Sequence, residues 1–195
     1  MAKLYFTYAA MNAGKSTALL QSAFNYVERG MEVLLFTAAI DDRAGKGKIA
    51  SRIGLSREAI LFDENTRLDD VVRGHHEKKP LSCIFIDEAQ FLTKAHILQL
   101  AELADEDGLP IMCYGLRTDF KGHLFEGSLW LMALGDVLRE MKSICHCGKK
   151  ATMNLRIDAQ GEPVIDGDTV EVGGNERYIP LCRRHFFQKL GRNNI

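Results

Sequence analysis

An apolar run, Leu4-Tyr5-Phe6-Thr7-Tyr8, passes through the small-residue stretch Ala9-Ala10-Met11-Asn12-Ala13-Gly14-Lys15-Ser16-Thr17 into a helix-forming segment. Strand, tight turn and helix in this order fit a loop that wraps phosphate. Gly14 lets backbone N–H groups close on the phosphates, Lys15 reaches the β and γ oxygens, and Ser16 offers its hydroxyl to Mg2+ at a helix amino end that favours anions. The first glycine usual in such a loop is Ala9 here. Taken alone, the segment also suits an ordinary turn before a helix. A second segment weighs against that plainer reading. Leu81-Ser82-Cys83-Ile84-Phe85-Ile86-Asp87-Glu88 reads as a buried strand ending in two carboxylates, which packing does not require and a magnesium site facing a phosphate loop does.

Around these segments the chain alternates strands and helices. Gln21 to Arg29 completes the helix begun at the loop, Gly30 suits the position just past its end, and Glu32-Val33-Leu34-Leu35-Phe36-Thr37 supplies the next strand. A helix is expected from about Lys94 to Asp105, and a strand at Ile111-Met112-Cys113-Tyr114-Gly115-Leu116 after Gly108 and Pro110. Buried parallel strands covered by helices explain such alternation, so a mostly parallel, three-layer α/β domain is expected over residues 1–142. The 195 residues, 46% of them hydrophobic, suffice for that core and a small appendage. A formal charge of −1 provides no field that would steer the chain to nucleic acid or to a membrane surface. Lys3 followed by a short apolar strand does not resemble a signal peptide, and a cytoplasmic location is expected. The segment from Asp41 to Arg57, with Arg43, Lys46, Lys48 and Arg52, suits either a solvated loop or a cationic flap near the phosphates. Gly74-His75-His76-Glu77-Lys78-Lys79-Pro80 reads as a polar connector with surface histidines.

Cysteine usage marks a second unit at residues 143–195. Cys145-His146-Cys147 and Cys182-Arg183-Arg184-His185 bring three thiols and an imidazole, a donor set suited to tetrahedral Zn2+. His146 is a less suitable fourth ligand than His185, because it sits between two ligands. Disulfides are disfavoured by an odd count of five cysteines and a reducing compartment. Cys83 and Cys113, on apolar strands, read as core residues. Short strands are expected at Thr152 to Ile157 and around Thr169 to Val172, punctuated by glycines. The expected unit is a small β-rich zinc ribbon.

The phosphate loop, Asp87-Glu88-Ala89-Gln90-Phe91, Tyr114-Gly115-Leu116-Arg117-Thr118-Asp119-Phe120, the cysteine clusters and Gly173-Gly174-Asn175-Glu176-Arg177-Tyr178 together resemble the type II thymidine kinases, most closely their bacterial branch. The resemblance spans nearly the whole chain. It implies a P-loop nucleoside-kinase core, with Glu88 receiving the proton of a nucleoside 5′-hydroxyl and Asp87 on the magnesium side. It implies that Phe91, Leu116, Phe120 and Phe125 enclose thymine. A lasso of Thr169, Val170, Glu171, Val172, Gly173, Gly174 and Tyr178 would cross over the base. Residues 9–17 with Asp41 and Arg43 would face ATP, and Met153 or Asn154 matches a base-edge contact. A structural zinc, a homotetramer and feedback binding of thymidine triphosphate follow from the same resemblance. The expected reaction is transfer of the ATP γ-phosphoryl group to thymidine. A partner-coupled ATPase and a non-catalytic nucleotide-binding module stand as the alternatives.

Overall fold

The computed structural model describes residues 1–41, 45–167 and 177–191. The chain opens with β1 (Leu4–Ala9), α1 (Lys15–Glu28) and β2 (Glu32–Ala38), followed by the small strands β3 (Lys48–Ala50), β4 (Ser56–Glu58) and β5 (Ile60–Phe62). Next come α2 (Leu68–His76), β6 (Leu81–Ile86), α3 (Lys94–Asp105), β7 (Ile111–Leu116), α4 (Glu126–Leu134) and β8 (Val137–Glu140). A six-stranded sheet in the order β5-β2-β6-β7-β1-β8 forms the core, and every neighbouring pair is parallel. All six carboxyl ends therefore lie along one edge, where ligands of such sheets bind.

Strand periodicity explains the layers. Leu34 and Phe36 of β2, with Ile84 and Ile86 of β6, pack into one cluster with residues of α2, α3 and α4. Their neighbours Val33, Leu35, Cys83 and Phe85 face the other way, against Leu19, Leu20 and Ala23 of α1. Both faces of the central strands are thus buried, so these strands read as continuous apolar runs. Each fully buried Phe or Leu contributes about 1.5–3 kcal/mol.

Gly74-His75-His76 is not a connector, as expected from sequence, but the last turn of α2. His76 Nδ1 accepts the Leu81 N–H at 3.0 Å and so fixes the entry into β6. His96 is likewise structural. Thr93 caps α3 by accepting the His96 N–H, while His96 Nδ1 accepts the Thr93 N–H at 3.1 Å and Nε2 lies 2.9 Å from the Thr66 carbonyl. These partners require the neutral ring with its proton on Nε2. Burial holds His96 below its ordinary value of 6.5. The folded chain then binds fewer protons here than the unfolded chain as pH falls below 6.5, so His96 withdraws stability on acidification. His96→Gln keeps a Thr-x-x-Gln capping box but removes the titration. In urea titrations at pH 7.5 and pH 5, the variant should lose less stability between the two than the parent chain. Equal losses would contradict this assignment.

Beyond β8 lie β9 (Ser143–Ile144), β10 (Lys150–Ala151), β11 (Met153–Arg156), β12 (Tyr178–Leu181) and α5 (Arg183–Leu190). The antiparallel pairs β9–β10 and β11–β12 and α5 enclose a separate small core built on Cys145, Leu155, Leu181 and Phe186. A core this small needs a further constraint to be stable. The strand expected around Thr169 to Val172 lies outside the described residues.

Candidate active site

The loop after β1 turns through two left-handed residues, Asn12 at φ 63° and Gly14 at φ 83°. Asparagine and glycine adopt this region at least cost. Ala9 needs no such freedom, because it is the last residue of β1, and this explains why alanine serves where a glycine is usual. Ala9 and Ala10 are buried, Met11, Ala13, Lys15, Ser16 and Thr17 are half-buried, and Asn12 and Gly14 are exposed. α1 begins at Lys15 with no acidic residue in its first turn, which leaves its amino end attractive to anions. Lys15 Nζ reaches back over the loop to the Ala10 carbonyl at 3.2 Å.

Strand parity delivers the acids. Asp87 lies two residues past Phe85 and its N–H continues the ladder to the Phe36 carbonyl at 2.9 Å, so its side chain shares the α1 face. There the nearby Ser16 hydroxyl helps to stabilise its charged form. Burial, and next the charge of Glu88, push the Asp87 carboxyl up to about 7 against the pull of Ser16, the Glu88 N–H and Lys15. A buried carboxylate beside a second carboxylate and a phosphate loop suits a divalent cation, whose charge would offset that cost.

Glu88 itself sits at φ 52°, ψ 38°, a left-handed conformation costing about 1–3 kcal/mol for a non-glycine residue. This turn ends the strand earlier than the sequence suggested, at Ile86, and leads into the 3₁₀ turn Ala89–Phe91. Glu88 is half-buried, and its Oε2 accepts Gln90 Nε2 at 2.5 Å. Beside it, Phe91 and Phe125 meet edge to face, 5.8 Å between centroids, and both are partly exposed. Leu116, at the carboxyl end of β7, is also half-buried. Phe120 differs: it is 1% exposed and lies under the Arg156 guanidinium at 4.4 Å. Its ring is buried, with the guanidinium of Arg156 from β11 and the ammonium of Lys121 against it. Asp41 follows β2 at the same sheet edge, its N–H bonded to the Ala38 carbonyl. Tyr178 opens β12, half-buried and paired with Arg156. Arg43, Thr169, Val170, Glu171, Val172, Gly173 and Gly174 lie outside the described residues.

Asn154, 3% exposed on β11, accepts the Met11 N–H at 2.7 Å and so ties the phosphate loop to the small unit. Arg117 adds a second tie, donating to the Thr152 carbonyl at 3.3 Å. No sequence signal gives the Asn154 bond, which joins residues 143 positions apart.

Cys145, Cys147, Cys182 and His185 come together with their ligand atoms within 4.8 Å of one another. The separations are 3.4 Å from His185 Nδ1 to Cys145 Sγ, 3.4 Å to Cys182 Sγ, and 3.9 Å between the sulfurs of Cys147 and Cys182. Metal bonds of about 2.3 Å to sulfur and 2.0–2.1 Å to nitrogen give tetrahedron edges of roughly 3.5–3.8 Å, so the four groups fit one ion. Burial raises the Cys145 thiol, but the backbone N–H groups of Cys147 and Cys182 and the His185 ring outweigh it and bring the thiol to about 6. His146 stacks on His185 at 4.3 Å instead of joining the set.

The family model described as Thymidine kinase matches residues 2–186. The thymidine kinase of Zymomonas mobilis is 60% identical over 97% of this chain and 98% of its own length. That of Aliivibrio fischeri is 56% identical over 98% of this chain and 100% of its own, and that of Escherichia coli K12 is 54% identical over 97% and 93%.

Proposed function

Because the chain belongs to the thymidine kinase family, we propose that it transfers the γ-phosphoryl group of ATP to the 5′-hydroxyl of thymidine, with Glu88 as the proton acceptor. The observation that carries the site assignment is that the buried Asp87 carboxylate lies on the α1 face, close to Ser16 at the end of the phosphate loop, with Glu88 adjacent. Loop N–H groups and Lys15 hold the β and γ phosphates, and Ser16 with Asp87 would hold Mg2+. When bound, Mg2+ neutralises charge on the β and γ oxygens. Glu88 takes the 5′-hydroxyl proton as the O5′–P bond forms and the bond from phosphorus to the bridging β–γ oxygen breaks, that oxygen leaving with the electron pair on ADP. Phe91, Phe125 and Leu116 supply an apolar wall for a planar base, and Tyr178 with the 169–174 segment completes it. The relatives do not favour the ATPase or the non-catalytic module. ATP consumption measured with each deoxynucleoside in turn tests the specificity: thymidine should stimulate it most, and equal consumption without nucleoside would overturn the proposal.

Zn2+ is our reading of the Cys3His group, with a structural role. α5 starts directly after Cys182, and β12 runs from Tyr178 into it, so the ion would anchor the end of the base-covering segment. Cys147→Ser should lower bound zinc from about one ion per chain and raise the KM for thymidine while the sheet domain stays folded, since binding energy at such a site is local folding energy. Metal analysis alongside initial rates checks both links. Undiminished zinc would remove Cys147 from the ligand set, and zinc loss with unchanged thymidine KM would break the coupling. Family membership also underlies our proposals of a homotetramer, thymidine triphosphate feedback and a cytoplasmic location. Among the described residues no helix is long and apolar enough to cross a membrane.

A further inference from the structure

Gln90 is 2% exposed and spans two groups with opposite demands. Its Nε2 donates to Glu88 Oε2 at 2.5 Å, and its Oε1 accepts the Leu116 N–H at 2.9 Å. An N–H can be met only by the amide oxygen and a carboxylate only by the amide nitrogen, so the two partners dictate one orientation of the side chain. The Gly115 backbone passes close against this side chain. At Gly115 an added Cβ would lie 2.7 Å from Gln90 Oε1 and 3.0 Å from its backbone nitrogen. Leu116 is also held at its carbonyl, which accepts the hydroxyl of the fully buried Ser128 at 2.5 Å. Ser128 of α4 thus bonds the Leu116 carbonyl, and the Leu116 N–H bonds Gln90, whose amide in turn reaches the Glu88 carboxylate.

We propose that Gln90 is a positioning residue of the phosphoryl transfer: its amide pins the Glu88 carboxylate and sets it in register with Leu116. The inference rests on the reading of Glu88 as proton acceptor. A glutamate side chain has several rotatable bonds, and Glu88 stands on a backbone turn that does not itself fix them. A hydrogen bond from a buried, doubly held amide selects one direction for the carboxylate. The same amide ties that direction to the β7 end, so the proton acceptor and one wall of the proposed base slot move together. Loss of the pin would leave the acid chemically intact but wrongly aimed, and misplacement by about 1 Å costs roughly 100-fold in such reactions.

Gln90→Met keeps the volume and removes both hydrogen bonds. We expect kcat to fall about 10- to 100-fold with the KM for ATP unchanged within about twofold. The decisive readout is a double-mutant cycle with Glu88→Gln. If Gln90 acts through Glu88, adding Gln90→Met to Glu88→Gln lowers turnover no further. Gln90→Glu provides a second variant that keeps an oxygen facing the Leu116 N–H while replacing the donor to Glu88, and it should behave the same way in both backgrounds. Equal losses with and without Glu88 would show a scaffold role and overturn the inference, as would normal turnover of the folded single variants. Normal turnover of Glu88→Gln alone overturns the reading beneath it, and that outcome is separate from additivity in the cycle.

Discussion

Glu88→Gln should lower turnover by about 10²- to 10⁴-fold, the scale of a positioned acid or base, while ATP affinity stays close to that of the parent chain. The substitution nearly preserves size and retains an oxygen able to accept the Gln90 amide proton, so the hydrogen bond seen at 2.5 Å survives in form. What disappears is the capacity to take a proton from the attacking hydroxyl. In our proposal the phosphate loop, Lys15 and the Ser16 and Asp87 side chains hold ATP, and the change removes none of them. Single-turnover measurements separate the two effects, because chemistry slows and nucleotide binding does not. A variant that folds and turns over normally would remove Glu88 from the reaction.

Lys15→Ala should lower catalytic efficiency by about 10²- to 10³-fold, the cost of deleting one preorganised donor at a site of developing charge. The structure offers little reason for the fold to suffer. Lys15 is the first residue of α1, alanine is a strong helix former, and the buried face of the helix rests on Leu19, Leu20 and Ala23. Lys15→Arg should recover little, because a planar guanidinium does not reproduce a compact ammonium within a closed loop. Initial rates over a range of ATP concentrations check this, and an unchanged kcat/KM in Lys15→Ala would contradict the placement of the ammonium against the phosphates.

The parts of the fold legible in the sequence are those written in local pattern. Apolar runs at β2 and β6, the small-residue turn before α1 and the helix at 94–105 depend on neighbours in the chain, and their boundaries in the structure fall within a residue or two of the sequence reading. The cysteine set was legible because ligand chemistry restricts residue type. Hidden from sequence were contacts made by ordinary residues across long separations. Asn154 reaches Met11, Gln90 reaches Leu116, and His96 reaches the Thr66 carbonyl. Asparagine, glutamine and histidine have many possible places, and only the fold selects one. The left-handed turn at Glu88 was hidden too, since glutamate carries no preference for it and the Asp87-Glu88 pair reads as a strand end. Hidden likewise was the Arg156 guanidinium over the buried Phe120 ring, which the family likeness implies as part of the thymine enclosure. Most of the segment from Thr169 to Tyr178, which the family likeness implies to cross over the base, lies outside the described residues.

The central claim is that the phosphate loop and Glu88 act together on a nucleoside hydroxyl rather than on water. Phosphorus NMR of the zinc-replete protein incubated with ATP, Mg2+ and thymidine tests it most directly. The account predicts thymidine 5′-monophosphate and ADP in equal amounts, with inorganic phosphate at the level seen without protein. Inorganic phosphate in place of thymidine 5′-monophosphate, or ATP left intact by the folded protein, would contradict it.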